Sequence, residues 1–299
     1  MIKTVISALV FSFLSFSAFA QTDLLKQQIE QVLAGKKATV GVAVYGFEKG
    51  DTLSVNNQIH YPLQSIFKFH IALAVLNRVD KGELALDQKI LITKKDLLPD
   101  TWSPIRDDYP NGNVQLTIAK IIEYTIAQSD NNGCDILLRL IGGAETVNDY
   151  IKSIGVKDFS IRVNEEEMHR EWNIQFLNWT TPESTIEVLR KFHKGKILSE
   201  ESYDFLWKTM AGTTTGVKRI KGKLPAGTTV AHKTGTSGTN EEGITAAIND
   251  VGIVTLPTGE DFAISVFVSN SKESQETNER IIAEVSKLVW DWFVNQEPS

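Results

Sequence analysis

The sequence predicts an α/β (α+β) protein, with an antiparallel sheet domain, flanking terminal helices and an inserted all-α domain. Three observations predict it. Strand-like alternation occurs near both ends of the chain, helical periodicity fills the middle, and the composition is that of an ordinary globular protein. With 42% hydrophobic and 23% charged residues over 299 positions, disorder, collagen-like repeats and a disulfide scaffold are excluded. The length supports one large core or two domains sharing an interface. The single cysteine, Cys134, allows no intrachain disulfide and builds no thiolate metal site by itself. A net charge of −6 argues against a nucleic-acid binder.

Residues 1–20 are read as a signal peptide. Met1-Ile2-Lys3 is a charged start, Thr4 to Phe16 is apolar, and Ser17-Ala18-Phe19-Ala20 offers small residues where a signal peptidase reads. A transmembrane anchor is the alternative, but it needs roughly 20 apolar residues and this run is shorter. Cleavage after Ala20 would leave an exported protein with no membrane association, periplasmic in a Gram-negative host. Nothing in the acidic balance calls for an interface, so a monomer is expected.

Leu24 to Leu33 carries apolar residues at helical spacing. Thr39–Phe47 and Thr52–Asn56 alternate around Glu48-Lys49-Gly50-Asp51, as a hairpin does. From Ser65 the period becomes helical, with Ile66, Phe69, Ala72, Leu73, Leu76 and Val79 on one stripe that ends at Gly82. Further helices are expected over 118–127, 134–141, 144–154, 182–192 and 200–210. Strand signals return at 229–234, 244–256 and 262–268, and a last helix covers about 278–293. The economical arrangement assigns 21–62 and 211–299 to one discontinuous sheet domain and 63–210 to the helical insert. Clefts between such domains favour chemistry.

Three short motifs carry that chemistry. In Ser65-Ile66-Phe67-Lys68 the three-residue step puts hydroxyl and amine on one helix face, at a helix start that favours anions. A serine needs such a nearby base to become a nucleophile. Ser129-Asp130-Asn131 lies between two helical runs, where it either aims polar groups into a cleft or caps the helix starting near Cys134. Lys233-Thr234-Gly235, followed by Thr236, sits on a late strand. A cation on an edge strand beside small residues suits an extended substrate bearing a carboxylate. Each motif alone has a bland reading, and Ser269-Asn270-Ser271-Lys272 repeats the first spacing after a strand. In this order and context, however, the three are the set shared by class A β-lactamases and penicillin-binding proteins.

From about Leu24 to Val294 the chain resembles a class A serine β-lactamase. Ala43-Val44-Tyr45, Gly142-Gly143 and Leu224-Pro225-Ala226-Gly227 add to the likeness. Tyr61-Pro62-Leu63-Gln64-Ser65, Thr213-Thr214-Thr215-Gly216 and Glu166-Glu167-Met168-His169 resemble the PER/VEB-type extended-spectrum branch. The resemblance implies the serine β-lactamase / D,D-peptidase fold and hydrolysis of penicillins and cephalosporins, conferring resistance. It implies Ser65 as nucleophile, Lys68 and Ser129 as proton carriers, and an oxyanion hole from the backbone N–H groups of Ser65 and Thr236. Lys233, Thr234, Gly235 and Arg219 would hold the substrate carboxylate, and Asn131 the side-chain amide. Trp102 would wall the cleft mouth. Arg219 as a surface residue and Trp102 as simple packing remain alternatives.

The deacylating base separates hydrolase from target. The family carries it as Glu-x-x-Leu-Asn in an omega loop, here about 162–179, and the match is Glu165-x-x-Met168-His169. Glu166 competes for the assignment. His169 stands where the pattern has Asn, so an imidazole would hold the water. Val163 and Asn178 replace the usual Arg–Asp brace, which implies a loop held differently and a wider pocket for oxyimino-cephalosporins. No cofactor or metal is expected, since His60, His70, His169, His193 and His232 show no ligand spacing. The rival readings are a D,D-peptidase, which stalls as the acyl-enzyme, and a non-catalytic β-lactam sensor.

Overall fold

The computed structural model describes residues 22–296, so the expected signal segment lies outside the described residues. Helix α1 covers 22–33 and leads into strands β1 (Thr39–Gly46), β2 (Thr52–Val55) and the short β3 (Tyr61–Pro62). The middle of the chain holds α2 (Phe67–Asp80), β4 (Lys89–Ile92), α3 (Pro104–Asp108), β5 (Val114–Thr117), α4 (Ile118–Ala127), α5 (Asn131–Ile141) and α6 (Ala144–Ser153). Then come β6 (Phe159–Ser160), α7 (Glu165–Met168), β7 (Trp179–Thr180), α8 (Pro182–His193) and α9 (Glu200–Ala211). The chain returns to strands β8 (Val230–Thr236), β9 (Thr245–Thr255) and β10 (Asp261–Ser271), and closes on α10 (Gln275–Val294).

Both ends of the chain build one five-stranded antiparallel sheet in the order β2-β1-β10-β9-β8. Strand β8, which carries Lys233, is an edge. Its register sets Lys233 opposite Val251 and Thr234 opposite Asp250. Strand β9 is buried at all but its last residue because helices cover both faces of the sheet. One face packs Val42, Phe262 and Ile264 against Leu25 and Ile29 of α1 and Ile281 and Val289 of α10. The other face, through Ala231, Ile253 and Phe267, joins the core of the helical block without interruption.

Helix α2 departs from the expected one-sided stripe. Every residue from Phe67 to Leu76 is buried, so α2 is a central helix wrapped by its neighbours and not a surface one. The Ser65 tetrad spans a helical junction: Gln64–Ile66 forms a 3-10 turn and α2 proper begins at Phe67. Helix α5 starts at Asn131, three residues before the expected start, because the Asp130 side chain caps it by accepting from the Gly133 N–H at 2.7 Å. The small sheet β3-β7-β6 and the two-stranded β4–β5 sheet carry no clear sequence signal, since strands of two to four residues show almost no period. None of the described helices is long and apolar enough to cross a membrane.

Candidate active site

Four segments converge where the edge strand meets the helical block. The 3-10 turn before α2 supplies Ser65, and its neighbour Gln64 is held at φ 46°, a left-handed conformation unusual for a residue with a side chain. Strand β8 lies against this turn so closely that a Cβ on Gly235 would come within 2.7 Å of the Leu63 carbonyl oxygen. Only glycine permits that approach, which brings Thr236 beside the nucleophile turn. Asn249 of β9 reinforces it by donating to the Pro62 carbonyl at 2.8 Å.

Lys68 is completely buried and forms the hub. Its Nζ donates to Ser65 Oγ and to the Ser129 carbonyl, both at 2.9 Å, and also to Asn131 Oδ1, while Glu165 Oε1 lies 2.9 Å away. Ser65 Oγ reaches Glu165 Oε1 at 3.5 Å. Nucleophile, amine and carboxylate therefore form one small triangle, although 100 residues separate Ser65 from Glu165 in sequence. Glu165 is buried and Glu166 is exposed, paired with Arg170 at 3.2 Å on the surface. The geometry favours Glu165 over its neighbour.

Ser129 sits at φ 61° just ahead of α5, and its Oγ accepts from Lys233 Nζ at 2.8 Å. Lys233 is also fully buried. Burial first, and then the Lys68 ammonium, hold its amine well below the ordinary lysine range. Asp130, the middle of its motif, faces away from this chemistry. Its carboxylate accepts from Ser103 Oγ and from the Ile105 N–H at 2.6 Å, tying α3 to α5. Asn131 donates to Thr101 Oγ1 at 2.7 Å. Trp102 is 60% exposed at the cleft rim, with its indole N–H anchored on the Gln128 carbonyl at 2.8 Å.

Arg219 is buried, not on the surface. Its guanidinium donates to the Gly235 and Asn249 carbonyls at 3.0 and 2.9 Å and to Thr236 Oγ1 at 2.7 Å, with Glu279 3.4 Å from Nε. Thr215 Oγ1 and Thr234 Oγ1 are 2.7 Å apart across the same wall. Ser65, Ser129, Glu165, Arg219, Thr234 and Thr236 line one cleft of about 510 Å³. Cys134 lies buried behind it, with its thiol pushed well above the usual range, and takes no part.

Two omega-loop residues stand differently from the family pattern. His169 donates from Nδ1 to the Glu165 carbonyl at 2.6 Å, which leaves Nε2 as its free acceptor on a half-exposed ring. Asn178 is fully buried. It accepts from the Arg162 and Val163 N–H groups at 2.7 and 3.1 Å and donates to the Val163 carbonyl at 2.8 Å, so a carboxamide joins the ends of the loop.

Sequence reasoning missed Asp135, Gln64 and Asp250. Asp135, buried on α5, accepts from the N–H groups of Glu165 and Glu166 at 2.8 and 3.0 Å. The Gln64 amide donates to Gln175 of the loop at 2.7 Å. Asp250 accepts from the Ile220 N–H at 3.1 Å and lies 2.9 Å from His232 Nδ1, joining the neighbours of Arg219 and Lys233. The one available signal was a charge inside an apolar strand or helix, as at Asp135 and Asp250.

The sequence profile of the Beta-lactamase enzyme family matches residues 24–293. The chain belongs to that family. It is 52% identical over 279 residues to beta-lactamase VEB-1 of Pseudomonas aeruginosa, covering 93% of each chain. Against the extended-spectrum beta-lactamase PER-1 of the same organism it is 45% identical, covering 97% of this chain and 95% of that one. The crystal structure of TLA-1 extended-spectrum beta-lactamase superposes with a TM-score of 0.90 at 56% identity, over 92% of this chain and 99% of that one. The protein is thus a class A serine β-lactamase of the PER/VEB type, a hydrolase of β-lactams that confers antibiotic resistance.

Proposed function

We propose that this β-lactamase works through an acyl-serine intermediate and accepts oxyimino-cephalosporins. The triangle of Ser65 Oγ, Lys68 Nζ and Glu165 Oε1, with two sides of 2.9 Å and one of 3.5 Å, carries the reading. Ser65 attacks the lactam carbonyl while its proton passes to Lys68 or, through a water, to Glu165. Backbone N–H groups of Ser65 and Thr236 stabilise the oxyanion. Ser129 delivers a proton to the leaving nitrogen and is resupplied by Lys233, whose depressed proton affinity makes its ammonium a readier donor. Lys233, Thr234, Gly235 and Arg219 dock the substrate carboxylate, and Asn131 the side-chain amide. Trp102 walls the mouth.

Glu165 then activates a water, positioned by the free Nε2 of His169, to cleave the ester. A D,D-peptidase has no use for a buried carboxylate at this point, which favours the hydrolase. The Asn178 brace and the open cleft support the wider substrate range. In its host the enzyme acts as a periplasmic monomer after cleavage at Ala20.

Mixing the protein with excess chromogenic cephalosporin, followed by absorbance and mass spectrometry, tests the cycle. Many turnovers are expected, with Glu165→Gln reducing them to one burst and a lasting adduct on Ser65. A burst from the unaltered protein would overturn the hydrolase reading. An omega loop superposable on that of a narrow-spectrum enzyme would count against the substrate range.

A further inference from the structure

One wall of the cleft comes from residues 97–103, a stretch with no helix or strand of its own. Asp100, Thr101 and Trp102 from this stretch line the cleft together with Ser65. Without a ladder or helix to hold it, such a segment keeps one shape only if its polar groups are tied elsewhere. Arg106 supplies the ties. Its Nη1 donates to the carbonyls of Leu98, Pro99 and Thr101 at 2.8, 2.6 and 2.6 Å. That nitrogen carries two hydrogens, so three carbonyls share them and the chain folds around one cation. The side chain is 22% exposed, and its Nη2 lies 3.2 Å from Asp107 Oδ1.

Arg106 stands on an anchored base. It belongs to α3, whose first turn Ser103 caps by accepting from the Arg106 N–H at 3.1 Å. Ser103 Oγ and the Ile105 N–H in turn donate to the buried Asp130 carboxylate at the start of α5. From the rim the connections return to α5. The Asn131 N–H donates to the Trp102 carbonyl at 3.0 Å, and its carboxamide donates to Thr101 Oγ1 at 2.7 Å. Asn132 Oδ1 accepts from the Leu98 N–H at 3.1 Å. With Lys68 on its oxygen and Thr101 on its nitrogen, the Asn131 amide has a fixed plane and one N–H left over.

We propose that Arg106 is a positioning residue for the substrate side chain: by gathering three rim carbonyls it presets the wall and the Asn131 amide against which an acylamino group docks. The proposal rests on the acyl-serine reading and on the docking role of Asn131 above. Arg106 is not among the residues lining the cleft, so it acts through the rim. A loose rim has to be ordered each time a substrate binds. That raises the concentration needed and leaves the later bond-making step alone. Lys68 keeps Ser65, the Ser129 carbonyl and Glu165 as partners whatever the rim does. A substrate with no acyl side chain gains nothing from the preset wall.

Arg106→Met keeps a long stem and removes every side-chain donor, whereas Arg106→Lys keeps a cation with three N–H groups on a shorter reach. Stopped-flow acylation compares a penicillin carrying a bulky acylamino side chain with the penicillin nucleus bearing a bare amine. For the acylated penicillin, the concentration giving half-maximal acylation should rise about ten-fold in Arg106→Met and about three-fold in Arg106→Lys. Its limiting acylation rate should stay within about two-fold, and the bare nucleus should change by less than about two-fold throughout. Hydrogen exchange read by mass spectrometry should quicken over 97–103 and hold steady over β8. Equal losses for both penicillins would overturn the proposal, as would a fall in the limiting rate, since either reports general damage to the site. Unchanged binding of the acylated penicillin, or unchanged exchange over 97–103, would overturn it as well. If Arg106→Met loses its cooperative thermal transition, the pattern in Arg106→Lys decides alone. Failure of the underlying reading is distinct: the unaltered enzyme would then form no Ser65 adduct, or would bind both penicillins alike.

Discussion

Asn178 and Val163 bridge the omega loop in both directions: the carboxamide accepts the Val163 N–H at 3.1 Å and donates to the Val163 carbonyl at 2.8 Å. A third bond, from the Arg162 N–H at 2.7 Å, completes the brace. These contacts do with a neutral side chain what an ion pair does elsewhere in the family, and they lie away from water, where unpaired partners are costly. Asn178→Ala should lower stability by roughly 2–4 kcal/mol. Deacylation should suffer more than acylation, because Glu165 rides on the loop. Urea unfolding and single-turnover kinetics together check this; an unchanged unfolding midpoint would refute the brace.

Gly235 sets the distance between the edge strand and the nucleophile turn. With a Cβ only 2.7 Å from the Leu63 carbonyl oxygen, Gly235→Ala has to push β8 outward. A shift near 1 Å in an oxyanion donor costs on the order of 100-fold in rate. Acylation should fall by about that factor while the protein still unfolds cooperatively. Acylation within two-fold of normal would show that the strand does not set the donor.

Asp135 links pH to the loop. Burial, aided by the Glu165 charge, pushes its carboxyl up to about 6 from 3.8. A carboxyl raised in the folded state contributes most when protonated, so its share of stability declines as pH rises from about 4 to about 6. Turnover should run the other way. Below about pH 6 a proton occupies an oxygen that accepts from Glu165 or Glu166, and deacylation should slow several-fold. Asp135→Asn should remove both pH steps, and parallel pH profiles for the two proteins would exclude the link.

His70 makes the fold sensitive to acid. It is 1% exposed, and burial lowers its imidazole to about 4 from 6.5. Its contribution is whole above pH 6.5 and is lost as pH falls toward 4, amounting to about 3 kcal/mol. His70→Leu should therefore flatten the loss of stability between pH 6.5 and 4. Thermal unfolding at a series of pH values measures it; equal slopes in both proteins would assign the acid loss to other groups.

The motif residues were legible because each chemistry needs particular side chains at short spacing: Ser65 with Lys68, Ser129 with Asn131, Lys233 with Thr234 and Gly235. The main helices and strands were legible from hydrophobic period, as with the alternation of β1 and the stripe on α4. Central strands β9 and β10 read as apolar runs, which told of burial but not of order in the sheet.

Only the tertiary structure decided which side chains act together. Asp135, Gln64 and Asp250 meet their partners through backbone N–H groups or amides that are distant in sequence, and such contacts leave no local pattern. Burial was also invisible in advance: Arg219 looks like any surface cation until the sheet and α10 close over it. By itself the sequence determined the reacting groups, because covalent chemistry depends on residue type. The fold decided their distances and their proton affinities, because those depend on which segments exclude water together.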